Sequence, residues 1–256
     1  MKKIILILLS LISIESMAQD KPILSGVFHW SELVVKKSEG REGRRIMEGS
    51  SPQFSYLEMH ASTQEKGVAP RPPHAQKDIE EMIIVKEGTM KFTMGNESRI
   101  LGKHSVVLIP PLEMQSIENV GDGPLTYYVM MFRSNKPMEM DRSVKAGGRL
   151  FLNADSLVYK PSDRGGGIAY FNRPTAMCEN FEMHITQLNK KGPSHAPHSH
   201  IDTEIILMLE GESEIIINNK TYMGSAGDLY IMNSGEMHCI SNTRDAVCKY
   251  VAFKWR

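Results

Sequence analysis

The sequence predicts an all-β protein built from two tandem copies of one barrel or sandwich unit. Three observations carry that expectation. A set of residues recurs about half a chain later at a nearly constant offset. Short runs of strand-forming residues alternate with Gly and Asn turn signals, and no stretch keeps a long 3.6-residue apolar period. Histidines and a glutamate cluster at matched places in the second copy.

The repeat holds position by position. Glu58-Met59-His60 returns as Glu182-Met183-His184, 124 residues on. His74 matches His198 and Gln76 matches His200 at the same offset of 124. Glu81 matches Glu204, Gly88 matches Gly211, Gln115 matches His238 and Asn119 matches Asn242, each 123 residues on.

Taken in order, the chain begins like an export signal. Lys2 and Lys3 precede an apolar run over residues 4–12, and Ser16-Met17-Ala18 offers small residues where a signal peptidase cuts. Residues 1–18 are therefore expected to be a signal peptide of bacterial style, with a periplasmic or secreted mature chain starting at Gln19. The run is too short for a membrane span. No second run is long enough, so the mature chain is expected not to cross a membrane. Residues 36–45 (KKSEGREGRR) read as a solvated loop, because Glu39 and Glu42 dilute the basic charge.

Strands are expected at residues 82–85 and 205–208, ended by the turns of Gly88 and Gly211. Second strands follow at 90–94 and 214–217. They end in two-residue hairpin turns at Gly95-Asn96 and Asn218-Asn219. Third runs cover 105–109 and 228–232, and residues 127–132 and 250–253 close the copies. The polar stretch 135–148 is the expected linker.

Composition excludes some classes. Thirty Lys+Arg against thirty Asp+Glu give a net charge of zero, so no nucleic-acid partner is expected. Three cysteines are too few for a disulfide framework. A hairpin turning at residues 243–245 would put Cys239 opposite Cys248, which leaves open a cross-strand disulfide or two ordinary thiols. The eighteen methionines read as adaptable core filler.

In the second copy, His198 and His200 lie two apart on an extended segment, and Glu204 lies four further on. Even spacing sends all three to one face. His238 joins them from a distant strand bracketed by Gly227 and Gly235. Three imidazoles and a carboxylate suit one divalent metal (Mn, Fe, Zn or Ni) and leave positions open for water or substrate.

These motifs resemble those of the cupin superfamily. Gly192-x5-His198-x-His200-x3-Glu204-x6-Gly211 is similar to the first cupin motif. Gly227-x5-Asn233-x-Gly235-x2-His238-x3-Asn242 is similar to the second, with Asn233 where Pro is usual. The resemblance implies a bicupin, two tandem double-stranded β-helix barrels. The N-terminal barrel would occupy residues 19–140 and the C-terminal barrel 141–256. It also implies that His198, His200, Glu204 and His238 are metal ligands. In the first copy the set is His74, Gln76, Glu81 and Gln115, with amides replacing two imidazoles; a decayed site, a weak second metal site and a metal-free pocket for a polar ligand remain open. Glu80 fits the strict motif spacing, while Glu81 keeps the six-residue gap to Gly88.

More distantly, Phe181-Glu-Met-His-Ile followed by Gly192-Pro-Ser-His resembles the second copy of the ureidoglycine aminohydrolase family. That family places its ligating Glu first and ends with Gln, unlike this chain. Tyr250 and Lys254 fall near positions it uses for substrate.

Cupins span many reactions, so the motifs fix a site rather than a chemistry. The functional expectation is a metal-dependent hydrolase or isomerase, with a dioxygenase open, acting on a small polar metabolite such as a sugar acid or ureide-like compound. Glu182, His184, Tyr250 and Lys254 are its candidate catalytic residues. For His184 and Glu182, a structural pair on the barrel exterior is an equal expectation. The competing class is a non-catalytic metal- and ligand-binding bicupin. The sequence leaves a homo-oligomer open.

Overall fold

The computed structural model describes residues 21–256. The expected signal peptide lies outside the described residues. Four antiparallel sheets make the fold, a seven-stranded and a smaller sheet for each copy. In the first copy the large sheet runs Leu150–Leu152, Val106–Ile109, Glu80–Glu87, Leu125–Ser134, Phe54–Gln64, Arg41–Gly49, Val35–Ser38. Its small sheet holds Glu97–Leu101, Met90–Met94 and Gln115–Asn119. In the second copy the large sheet runs Gly26–Phe28, Leu229–Met232, Thr203–Glu210, Cys248–Trp255, Phe181–Leu188, Gly165–Arg173, Lys160–Ser162. Its small sheet holds Gly192–Pro193, His238–Asn242, Glu212–Ile217 and Lys220–Ser225.

Each barrel closes with a strand from the other half of the chain. Gly26–Phe28 pairs with Leu229–Met232 of the second copy, and Leu150–Leu152 pairs with Val106–Ile109 of the first. Strand pairing thus crosses residue 140 in both directions. No run of alternating apolar residues marks these short edge strands in the sequence.

Alternation explains the layers. Along Phe181–Leu188, Phe181, Met183 and Ile185 are buried, while Glu182, His184 and Thr186 on the other face are half-buried. The buried faces of the two large sheets share one core. Phe54 stacks on Trp255 with centroids 5.1 Å apart, and Phe132 meets Phe181 edge-on at 5.6 Å. Separate apolar clusters fill each barrel, around Phe92 and Met94 in the first and around Ile215 and Tyr230 in the second. Met47, Met59, Met82, Met130, Met177 and Met183 are buried in the shared core, as the filler reading expects.

Both hairpin turns form where expected. Gly95 (φ 58°), Asn218 (φ 47°) and Asn219 (φ 65°) adopt the left-handed conformation such turns need. Gly211 (φ 79°) ends its strand where a Cβ would collide with the Val247 carbonyl oxygen, and Gly88 (φ 85°) does the same against Pro124. This close approach explains why both positions lack a side chain.

Three expectations change. Residues 36–45 are not a loop: Val35–Ser38 and Arg41–Gly49 form a hairpin around Gly40 (φ 61°). Its charges suit an exposed sheet edge, which resists pairing with other chains. The linker contains a short helix, Met140–Lys145, which Arg142 anchors by donating to the carbonyls of Thr175 (2.7 Å) and Ala176 (3.0 Å). Cys239 and Cys248 do not face each other. Cys239 lies opposite Ile216 in the small sheet and Cys248 opposite Leu188 in the large one. Asn242 turns the chain between sheets by donating to Ala246 O (2.7 Å) and accepting from Arg244 N (3.0 Å), so no hairpin forms there. Cys178, Cys239 and Cys248 are buried free thiols.

Candidate metal centre

In the second barrel, the segment carrying His198 and His200 is stitched to the strand His238–Asn242. Backbone hydrogen bonds join His198 and His238 in both directions, at 3.1 and 2.9 Å. Ser194 N donates to Ile240 O (2.9 Å) and Gly235 N to His200 O (2.8 Å). His198 sits in an isolated bridge, His200 follows it in the loop, and Glu204 is already on Thr203–Glu210. The residues therefore converge because the loop is stitched down, not because one continuous strand presents them at even spacing.

The outcome is a tight cluster. One ring nitrogen from each of His198, His200 and His238 lies within 4.8 Å of the others. Glu204 Oε2 is 3.0 Å from His200 Nε2 and 3.3 Å from His238 Nε2. The three imidazoles thus form one group, and Glu204 reaches two of them, His200 and His238.

Hydrogen bonding sets the tautomers. His200 Nδ1 lies 3.0 Å from Asp202 O, and His238 Nδ1 lies 2.8 Å from Glu236 O. A carbonyl only accepts, so both Nδ1 atoms carry the proton. Each Nε2 then faces the Glu204 carboxylate, where either a second ring proton or a metal cation must lie between nitrogen and oxygen. His238 Nε2 and His198 Nδ1 are buried without a hydrogen-bond partner. This donor set fits a divalent metal, with backbone carbonyls orienting the rings from behind.

The charges agree. Burial raises the Glu204 pKa, but the adjacent imidazoles of His200 and His238 outweigh it and hold the carboxyl well below the usual range. His200 is raised, chiefly by Glu204. His198 is lowered, first by burial and then by the charges of His195 and His238.

The cluster opens into a cavity of about 190 Å³. Of the four candidate catalytic residues, His184, Tyr250 and Lys254 line it. His184 therefore faces the interior, and the exterior-pair expectation does not hold. Glu182 stands behind, 3.3 Å from His184 Nδ1 and 3.8 Å from Lys254 Nζ, and accepts from Asn172 Nδ2 (3.0 Å). Tyr250 Oη donates to Ser194 Oγ (3.0 Å), and burial pushes its pKa up to about 12 against the hydrogen bonds of Ser194 and Thr186. Sequence reasoning missed Thr186, Ser194 and His195, which also line the cavity. His195 had a signal, since it lies three residues before His198 in the same motif; its ring centroid is 4.3 Å from that of His198.

The first barrel repeats the stitching. His74 and Gln115 exchange backbone hydrogen bonds of 3.0 and 2.8 Å, and Leu112 N donates to Gln76 O (2.7 Å). Glu81 faces a separate cavity in this first barrel, lined also by His74, Gln76 and Gln115, and Gln115 Nε2 donates to Glu81 Oε2. Glu80 points the other way, accepting from Thr175 Oγ1 and Met177 N. Glu81 is thus the counterpart of Glu204. A carboxylate satisfied by an amide N–H needs no cation, so His74, Gln76, Glu81 and Gln115 fit a metal poorly.

The cupin domain family model matches residues 60–131 and 184–254, more than half of the chain. The chain belongs to the cupin family and is a bicupin. Among curated proteins, no sequence matches it. Solved structures share the fold. AerE from Microcystis aeruginosa is 14% identical, with TM-score 0.66, covering 88% of this chain and 98% of its own. Ylba from E. coli is 14% identical, with TM-score 0.68 and coverage of 94% and 95%. Bacillus subtilis oxalate decarboxylase, which has Mn(II) centres, is 13% identical, with TM-score 0.64 and coverage of 92% and 78%.

Proposed function

We propose that the protein is an exported, metal-dependent hydrolase or isomerase acting on a small polar metabolite, a sugar acid or ureide-like compound, in the C-terminal barrel. His198, His200, Glu204 and His238 hold one divalent metal. The observation that carries this reading is the pair of imidazoles whose Nδ1 protons are fixed by backbone carbonyls while their Nε2 atoms converge on one carboxylate. The Mn(II) centres of the oxalate decarboxylase support Mn as one candidate, beside Fe, Zn and Ni.

The bound metal supplies Lewis acidity toward a substrate oxygen. The chain's own groups do the rest. Glu182 Oε1, 3.3 Å from His184 Nδ1, favours the ring proton on that side and leaves Nε2 to move a proton at the substrate. Lys254 Nζ offers a cation to a substrate carboxylate or carbonyl oxygen, and Tyr250, a protonated phenol, donates or positions through Ser194.

A second reading, a non-catalytic metal- and ligand-binding bicupin, has its own support. The His184–Glu182 pair recurs in the first barrel as His60–Glu58, 3.1 Å apart, where the histidine-rich donor set is missing. A metabolite screen on metal-loaded protein separates the readings. The enzymatic account expects a substrate to be consumed by wild type and turnover to fall ~10²-fold or more in His184→Gln and Glu204→Ala. Ligands that stabilise the protein but are never consumed under any metal establish the binding reading instead.

A further inference from the structure

The first-barrel cavity, about 200 Å³, is lined by Arg41 and Arg71 as well as by His60, His74, Gln76, Glu81, Gln115 and Tyr127. The repeat shows what these arginines replace. Arg71 corresponds to His195, 124 residues on. Arg41 lies opposite Gln64, and Gly165 lies opposite Leu188, the equivalent of Gln64, so Arg41 stands where the second barrel has glycine. In the other direction, Met131 replaces Lys254. Relative to the second barrel, the first has therefore lost three imidazoles and a lysine and gained two guanidiniums that line its cavity.

Those guanidiniums are free to bind a ligand. Among the described residues, no carboxylate forms an ion pair with Arg41 or Arg71. Arg41 is held in place, since its Nη2 donates to Ala69 O, and the same loop is tied down by Gln64 Nε2 donating to Val68 O (2.7 Å). Both arginines line the same cavity as the buried Tyr127. The floor is polar and buried: Glu81 is 4% exposed and Gln115 2%. Gln115 engages only Oε2 of Glu81. A ligand matching this arrangement has an anionic end for the guanidiniums and a hydroxyl or amine for the floor. The cavity is below the ~300–1,000 Å³ of drug-sized pockets, so the ligand is small.

We propose that the N-terminal barrel is a metal-independent binding site for a small hydroxy- or amino-carboxylic acid, with its carboxylate on Arg41 and Arg71 and its hydroxyl or amine toward Glu81. Two planar guanidiniums suit a carboxylate better than lysines would, because each offers paired donors. The site does not depend on what the C-terminal barrel does.

Calorimetric titration of the full chain, treated with EDTA, tests it with L-tartrate and L-serine as probes and glycerol as the uncharged control. The proposal expects saturable binding of at least one acid at one site per chain, and none of glycerol. Arg41→Ala and Arg71→Ala should each weaken it by about tenfold or more, with Arg41→Lys intermediate. His200→Ala, in the other barrel, should leave it unchanged. Circular dichroism melts confirm that the variants fold, and Arg71, being exposed, is the safer of the two positions. Absence of saturable binding by either acid overturns the proposal. So does binding that survives both arginine changes or is lost in His200→Ala, which would place the acid in the other barrel.

Discussion

Glu204 Oε2 lies 3.3 Å from His238 Nε2, although the two residues sit on strands of different sheets. Glu204 belongs to the large sheet of the second barrel and His238 to the small one, so their meeting depends on barrel closure. The closure is local, through the two backbone bonds between His198 and His238. The equivalent pair in the first barrel, Glu81 and Gln115, meets in the same way but as a carboxylate and an amide. One fold thus carries two sites of different chemistry, and the difference rests on a few side chains.

That comparison makes the first barrel convertible. In Gln76→His/Gln115→His, both imidazoles return to positions whose backbone already matches the second barrel. Metal content should rise from about one toward about two per chain, because neutral imidazole nitrogen binds borderline metals better than amide oxygen. Inductively coupled plasma mass spectrometry reads this directly. Unchanged content in a folded double variant would show that the cavity geometry, not the donor set, excludes metal.

Glu80 predicts a pH dependence of stability. It is fully buried, and burial pushes its pKa up to about 7, against the hydrogen bonds from Thr175 and Met177 and the charges of Arg173 and Arg142. Its ordinary value is 4.5. Between those values the folded chain holds a proton that the unfolded chain has released, so stability falls as pH rises from about 4.5 to about 7 and the penalty stays constant above. The full penalty is on the order of 3 kcal/mol. Glu80→Gln imitates the protonated form. Its advantage over wild type in urea unfolding should grow between pH 5 and pH 8. A difference that does not vary with pH would mean Glu80 titrates normally.

Much of this was legible in the sequence because it is periodic. The repeat, the two hairpin turns and the glycines that end Glu80–Glu87 and Thr203–Glu210 all follow from spacing. The four residues of the candidate metal site were likewise identifiable from their types and intervals. What the sequence hid was long-range. The exchange of Gly26–Phe28 and Leu150–Leu152 between barrels involves three-residue strands with no alternation of their own. The separation of Cys239 from Cys248 turns on Asn242, whose side chain spans the expected turn at residues 243–245 and makes it a corner between two sheets. Whether His184 faced in or out could not be settled until the register of Phe181–Leu188 against Cys248–Trp255 placed it beside Tyr250 and Lys254.

The export proposal has its own check. Cleavage after Ala18 should leave Gln19 as the first residue of protein isolated from its native compartment, seen by mass spectrometry of the N-terminal peptide. An intact Met1 would contradict the proposed cleavage and, with it, the export proposal.

The central claim is that one divalent metal sits among His198, His200, Glu204 and His238. Elemental analysis of wild type beside His200→Ala and His74→Ala tests it most directly. The account predicts about one metal per chain in wild type, nearly complete loss in His200→Ala, and no change in His74→Ala. Equal metal content in wild type and His200→Ala, or a loss that follows His74 instead, would contradict it.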